Sequence, residues 1–183
     1  MISATTISRE EELQQVLDLQ QHYLVGNIDK DEMKSQGFLT VRHTPGLLQQ
    51  MHSLAPSIII KDDNHVVAYA LVMLRECRNS VAALLPMFDT FDVLEWRGKP
   101  LSEYSFYVMG QICVAKAYRG QGLFDMLYHK HREVYQPQFD FIVTEVATRN
   151  KRSLRAHERV GFETIHVYTD ELDEWAVVLW DWK

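Results

Sequence analysis

The stretch Gln111-Ile-Cys-Val-Ala-Lys-Ala-Tyr-Arg-Gly-Gln-Gly-Leu-Phe-Asp-Met-Leu-Tyr128 decides how this chain is read. Its first part is apolar and continues a strand pattern that begins at Ser105. Beyond Gly122, the residues Phe124, Leu127, Tyr128, Val134 and Tyr135 recur at helical spacing until Pro137 stops the run. Between strand and helix lies Arg119-Gly120-Gln121-Gly122. Such a turn suits a phosphate group, because the unpaired N–H groups and dipole of a helix N-terminus point at whatever sits there. Gly120 and Gly122 remove side chains that would block close approach, and Arg119 adds positive charge. The same turn also arises for conformational reasons alone. It lacks the Lys-Ser/Thr of a P-loop and the glycine spacing of a dinucleotide fold.

Downstream, Phe139 to Val146 is a nearly continuous apolar run, as expected of a strand buried on both faces. Asn150 can cap a short helix carrying Leu154 and His157, and Gly161 ends it. Thr164 to Tyr168 and Trp175 to Trp180 read as two closing strands around a turn at Asp170 to Asp173. Upstream, Ile2 to Ile7 reads as a strand, and Ser8 with Glu11 forms a capping-box pattern before the stripe Leu13, Val16, Leu17 and Leu24. Val25 to Thr40 is irregular, and Thr44-Pro45 opens a short helix to about Ser53. Ser57 to Lys61 and His65 to Leu74 read as strands joined by Asp62-Asp63-Asn64. Arg75 to Tyr104 has no clean period, and its Phe88, Phe91 and Trp96 offer apolar surface to cover a pocket or meet a partner. This order predicts an α/β fold: a mixed sheet with helices on both faces.

With 183 residues and no linker or repeat, one domain over residues 1–183 is expected. A composition of 46% hydrophobic and 24% charged residues is that of an ordinary globular protein, and the apolar runs are strand-sized, which predicts no membrane span. Met1 to Ile7 leads straight into acidic residues, unlike a secretory signal. Two cysteines make no disulfide framework and no Cys or His pair has zinc spacing, so a cytoplasmic protein without metal is expected. A net charge of −6 argues against nucleic-acid binding.

The quoted loop resembles the acyl-CoA loop of the GNAT superfamily of N-acetyltransferases, Gln/Arg-x-x-Gly-x-Gly/Ala, with Arg119 and Gly122 in its first two defined places. Phe124 stands in the third, so its ring is expected to turn into the core. Asn150-Lys-Arg-Ser-Leu-Arg-Ala-His-Glu-Arg-Val-Gly-Phe162 resembles the same family's second motif. The resemblance implies a GNAT-type, mostly antiparallel central sheet with a splayed parallel strand pair, and acetyl-CoA as cosubstrate. It implies that backbone groups of Ile112, Cys113 and Val114 meet the pantetheine arm. Arg119, Gly120, Gln121, Gly122, Leu123 and Phe124 would hold the pyrophosphate, with Asn150 and Ser153 beside the arm.

Acyl transfer to an amine poses two proton problems. An alkyl amine of pKa roughly 10 must lose a proton, and a departing thiolate of pKa on the order of 8.5 is helped by a donor. Glu145 interrupts an apolar strand near its C-terminal end, where open sheets place ligands and where burial raises a carboxyl. Its place five before Asn150 is similar to the base of N-terminal acetyltransferases acting on ribosomal proteins. Pairing with Arg149 is the alternative. The position that carries the base in histone-type enzymes is Val108 here, which cannot titrate. His157 stands where many members carry an acid tyrosine, so it is the candidate acid; packing or a bond to a carbonyl is its alternative. Cys113 reads as a small hydrophobe, and His129 and His131 as surface or packing residues. Tyr104, Tyr107, Phe38 and Phe88 are candidates for an acceptor pocket or for core.

These expectations amount to acetylation of a primary amine, of a small molecule or a peptide, by direct attack in a ternary complex. The rival is a non-catalytic acyl-CoA-binding module. A homodimer through the aromatic C-terminal strand is the further possibility that the resemblance raises.

Overall fold

The computed structural model describes residues 1–28, 31 and 38–183. Along the chain run β1 (Ile2–Thr6), α1 (Glu10–Tyr23), α2 (Pro45–Leu54), β2 (Ile58–Asp62) and β3 (His65–Met73). Short 3-10 turns then lead to α3 (Leu85–Val93) and a small hairpin, β4 (Glu95–Trp96) with β5 (Lys99–Pro100). The remainder is β6 (Phe106–Val114), α4 (Leu123–Tyr135), β7 (Phe141–Ala147), α5 (Lys151–Val160), β8 (Glu163–Thr169) and β9 (Glu174–Asp181). Seven strands form one mixed sheet in the order β1-β2-β3-β6-β7-β9-β8, antiparallel except at β6/β7. The parallel register joins Phe106, Tyr107 and Val108 to Phe141, Ile142 and Val143, and both strands run on past it. The chain falls into two compact units, Met1–Met73 with Met109–Val134 and Leu74–Val108 with Tyr135–Lys183. The expected irregular stretch Val25 to Thr40 lies partly outside the described residues.

In the first unit, Ile58, Ile59 and Ile60 are wholly buried, and so are Ala68 to Met73 of β3. Both strands therefore lose the alternation of a half-exposed strand. The start of α1 is held one residue later than Ser8 and Glu11 suggested. The Glu12 carboxylate accepts from the N–H groups of Ser8 (2.8 Å) and Arg9 (3.2 Å) and from Lys61 Nζ (2.8 Å). Burial pushes this carboxyl up, but Lys61, Ser8 and Arg9 outweigh it and hold it at about 2. Thr44 caps α2 as expected, its Oγ1 accepting from Leu47 N–H at 3.2 Å.

A buried polar network crosses this unit. Gln111 on β6 accepts through Oε1 from Tyr69 Oη (2.7 Å) and Gln20 Nε2 (3.0 Å), and donates through Nε2 to Val41 O (2.7 Å). Gln20 Oε1 in turn accepts from His43 N–H at 2.8 Å. The side chains of Gln20, Tyr69 and Gln111 are paired in this network, where an unpaired buried amide or hydroxyl costs about 1–3 kcal/mol, while His43 Nε2 is buried without a partner.

In the second unit, β7 lies between β6 and β9 and is apolar except for Thr144 and Glu145. Phe106 and Phe141 stack at 5.1 Å, and Trp96 and Tyr104 close on Phe141. Tyr107 is wholly buried against Tyr135, Phe139 and Trp182, which makes it core and not pocket lining. Trp175, Trp180 and Trp182 are buried as well. The aperiodic Arg75–Tyr104 segment becomes α3, the hairpin and tight 3-10 turns, structures too short to leave a periodic signature.

Candidate active site

The loop before α4 belongs to the first unit. Gly120 and Gly122 have φ of +76° and +79°, a region that glycine enters without a Cβ penalty. A Cβ added at either would meet nothing within 4 Å, so the pair is set by backbone conformation and faces open space. Leu123 is buried and roots the helix, while Phe124 is half-buried with its ring 5.1 Å from the wholly buried Tyr128. The core position expected for Phe124 is thus taken by Leu123, one residue earlier.

Arg119 is held at the loop's entrance, Nε donating to Val114 O at 3.0 Å and the guanidinium 4.6 Å from the Tyr23 ring centre. Gln121 donates to Ala117 O at 3.0 Å, which tightens the turn. On β6, Ile112 and Val114 are half-buried and alternate with buried Cys113. Burial pushes the Cys113 thiol up to about 12 against the opposing pull of Arg119, which keeps it a thiol. His129 is exposed and His131 wholly buried, so the second is a packing residue.

Glu145 and the second motif belong to the other unit. Burial raises the Glu145 carboxyl to about 7; Asp170 pushes the same way, and a hydrogen bond from Tyr168 Oη to Oε2 pulls it down. Arg149, the alternative partner, pairs instead with Asp173. Glu145 is therefore a half-buried carboxyl poised to change charge near neutrality, a property general bases share.

Asn150 accepts from Ser153 N–H at 3.2 Å and caps α5 as expected. His157 is 1% exposed, and its Nδ1 lies 2.8 Å from Ser153 O. Burial lowers it to about 4 against the pull of that carbonyl. The imidazole is therefore neutral at neutral pH, with Nδ1 turned to the helix backbone. The His157 ring lies edge-on to Phe162 at 5.0 Å.

From the sequence alone Tyr168 is the last residue of a closing strand, with no signal of a role. On β9, Val177 pairs with Glu145 and Trp175 pairs with Tyr168. Residues two apart share a face of a strand, so Glu145 and Tyr168 meet across β9. That signal needs the order β7-β9-β8, which no local pattern carries. A cavity of about 600 Å³ also lies in this unit, lined in part by Arg75, Arg78, Phe88, Tyr104 and Phe106. Tyr104 and Phe88 thus line a hollow, at the opposite end of the parallel pair from Glu145.

A model of the acetyltransferase (GNAT) family matches residues 13–162. Solved structures of similar fold include the NatC complex bound to Gag peptide and CoA, with a TM-score of 0.66, 13% identity and coverage of 100% of this chain and 99% of that one. Another is the ribosomal-protein-S18-alanine N-acetyltransferase from Escherichia coli, at TM-score 0.63 and 12% identity, covering 99% of this chain and 94% of that one. A third is Arabidopsis thaliana NAA60 in complex with acetyl-CoA, at TM-score 0.63 and 13% identity, covering 100% of both chains. At these identities the likeness is one of fold. A comparison with curated protein sequences finds no match. The chain belongs to the acetyltransferase (GNAT) family. No helix among the described residues is long and apolar enough to cross a membrane.

Proposed function

We propose that this protein is an acetyl-CoA-dependent N-acetyltransferase that acetylates a primary amine by direct attack in a ternary complex. The observation that carries the reading is Glu145, a carboxyl in an apolar strand lifted to about 7. A base there is ionised over the upper half of the physiological range and takes a proton from an alkylammonium group of pKa roughly 10. Bound acetyl-CoA supplies the acetyl group as an activated thioester. The loop fits its diphosphate: Gly120 and Gly122 open space at the head of α4, and the N–H groups of Leu123 and Phe124 stand at the positive end of that helix. Arg119 adds charge from a fixed position. By the family resemblance, backbone groups of Ile112, Cys113 and Val114 would meet the pantetheine arm, and Asn150 and Ser153 are assigned to that arm as well.

A peptide-like amine is the favoured acceptor. Support comes from the five-residue spacing of Glu145 and Asn150, and from fold relatives named for a bound peptide and for a ribosomal-protein alanine. One rival is an acyl-CoA-binding module without turnover; its support is the burial of His157, which lowers that imidazole to about 4. Thiol release from acetyl-CoA, followed with a panel of peptide N-termini and small amines, separates the two. Turnover that disappears in Glu145→Gln supports the enzyme. Absence of turnover with every amine supports the module. A thermal-shift comparison of acetyl-CoA, ATP and NAD tests the loop, and no shift with millimolar acetyl-CoA would sink both readings.

A further inference from the structure

We infer that Tyr168 is a positioning residue for Glu145: its hydroxyl anchors Oε2 of the carboxylate and leaves Oε1 to meet the incoming amine. The inference rests on Glu145 acting as the base. Tyr168 comes from β8 and Glu145 from β7, on the same face across β9. The phenol donates to Oε2, while Oε1 carries no hydrogen bond among the described residues. A carboxylate on a short side chain has rotational freedom about its last bonds. One anchored oxygen removes that freedom and leaves a single lone-pair edge directed outward.

The surroundings show that the phenol is kept protonated for this task. Burial raises it first, and its bond to Glu145 and the charge of Asp170 raise it further, so it stays a donor throughout the working range. The other groups facing the pair are few. Thr90 of α3 lies near the phenol, His166 stacks on the Tyr168 ring at 6.3 Å, Arg149 is occupied by Asp173, and β9 presents apolar Val177. Thr90 also donates to Pro86 O at 2.8 Å, which fixes it on the first turns of α3.

The test compares Tyr168→Phe and Glu145→Gln in the full chain, using acetyl-CoA and a peptide amine that supports turnover. Tyr168→Phe is expected to lower kcat about tenfold with little change in the KM for acetyl-CoA. The acidic limb of its pH–rate profile is expected to move up by about one unit, because a donor that favours the charged carboxylate is gone. Titration of the Glu145 carboxyl by carbon NMR reads the same shift without turnover. If Glu145→Gln keeps its activity, the base assignment itself falls. If Glu145→Gln is inactive while Tyr168→Phe leaves kcat, limb and titration in place, or only lowers the melting temperature, the inference is overturned and the base assignment stands.

Discussion

Replacing Glu145 by Gln is expected to remove turnover and, above neutral pH, to stabilise the fold. The folded carboxyl titrates at about 7 against an ordinary 4.5, a difference of about 2.5 units. At 1.36 kcal/mol per unit this amounts to about 3.4 kcal/mol of cost for carrying the charge in place. Partial exposure screens the charge, so about 1.5–2 kcal/mol is the working figure. Because the folded pKa is raised, the stabilising contribution of the protonated group is complete below about pH 4.5 and lost as pH climbs through about 7. Gln keeps an oxygen for the Tyr168 hydroxyl and never ionises, so wild type and variant should melt together near pH 4.5. By pH 8.5 the variant should melt higher by about 3–8 °C, at roughly 2–4 °C per kcal/mol for a chain of this size. Calorimetric melts at four or five pH values, paired with thiol-release kinetics, measure both effects. A melting difference that does not change with pH, or a variant that retains more than a third of wild-type kcat, refutes the reasoning.

Three other perturbations test other parts of the molecule. Gly120→Ala places a Cβ on a residue at φ +76° and is expected to cost about 1–2 kcal/mol of loop strain, raising the dissociation constant for acetyl-CoA about tenfold or more in calorimetric titration. Gln111→Leu leaves the Tyr69 hydroxyl and Gln20 amide without their shared acceptor; urea unfolding should show a loss of about 2–4 kcal/mol. Asn150→Ala removes the side-chain cap of α5 and should lower stability by about 1 kcal/mol, with the melting temperature as the readout.

The elements that could be read in advance are those whose signals are local. Thr44-Pro45 at one helix start, Asn150 and Gly161 at the ends of another, and the glycines between β6 and α4 each act through their own backbone, and the structure places each where the pattern did. Glu145 was legible for a similar reason: one acid in seven strand residues declares itself against apolar neighbours. What escaped depends on contacts distant in sequence. Tyr168 reaches Glu145 only because β9 lies between their strands. The depth of His157 follows from its packing on Phe162, and a helix position alone does not separate a buried imidazole from one facing a ligand. Arg75–Tyr104 failed for the opposite reason, since a helix of nine residues and strands of two are shorter than the windows that periodicity needs.

The network of Gln20, His43, Tyr69 and Gln111 has a consequence for how the chain finds its pairing. β3 is apolar along nearly its whole length, and hydrophobicity alone scarcely distinguishes one alignment of such a strand against β6 from an alignment slipped by two residues. A slip would carry Tyr69 away from Gln111 and strand a hydroxyl and an amide in the interior, at about 1–3 kcal/mol for each. The four residues are spread from position 20 to position 111, so the network ties together segments distant in sequence. The same contacts therefore fix the alignment of the strand that carries Ile112, Cys113 and Val114 against β3.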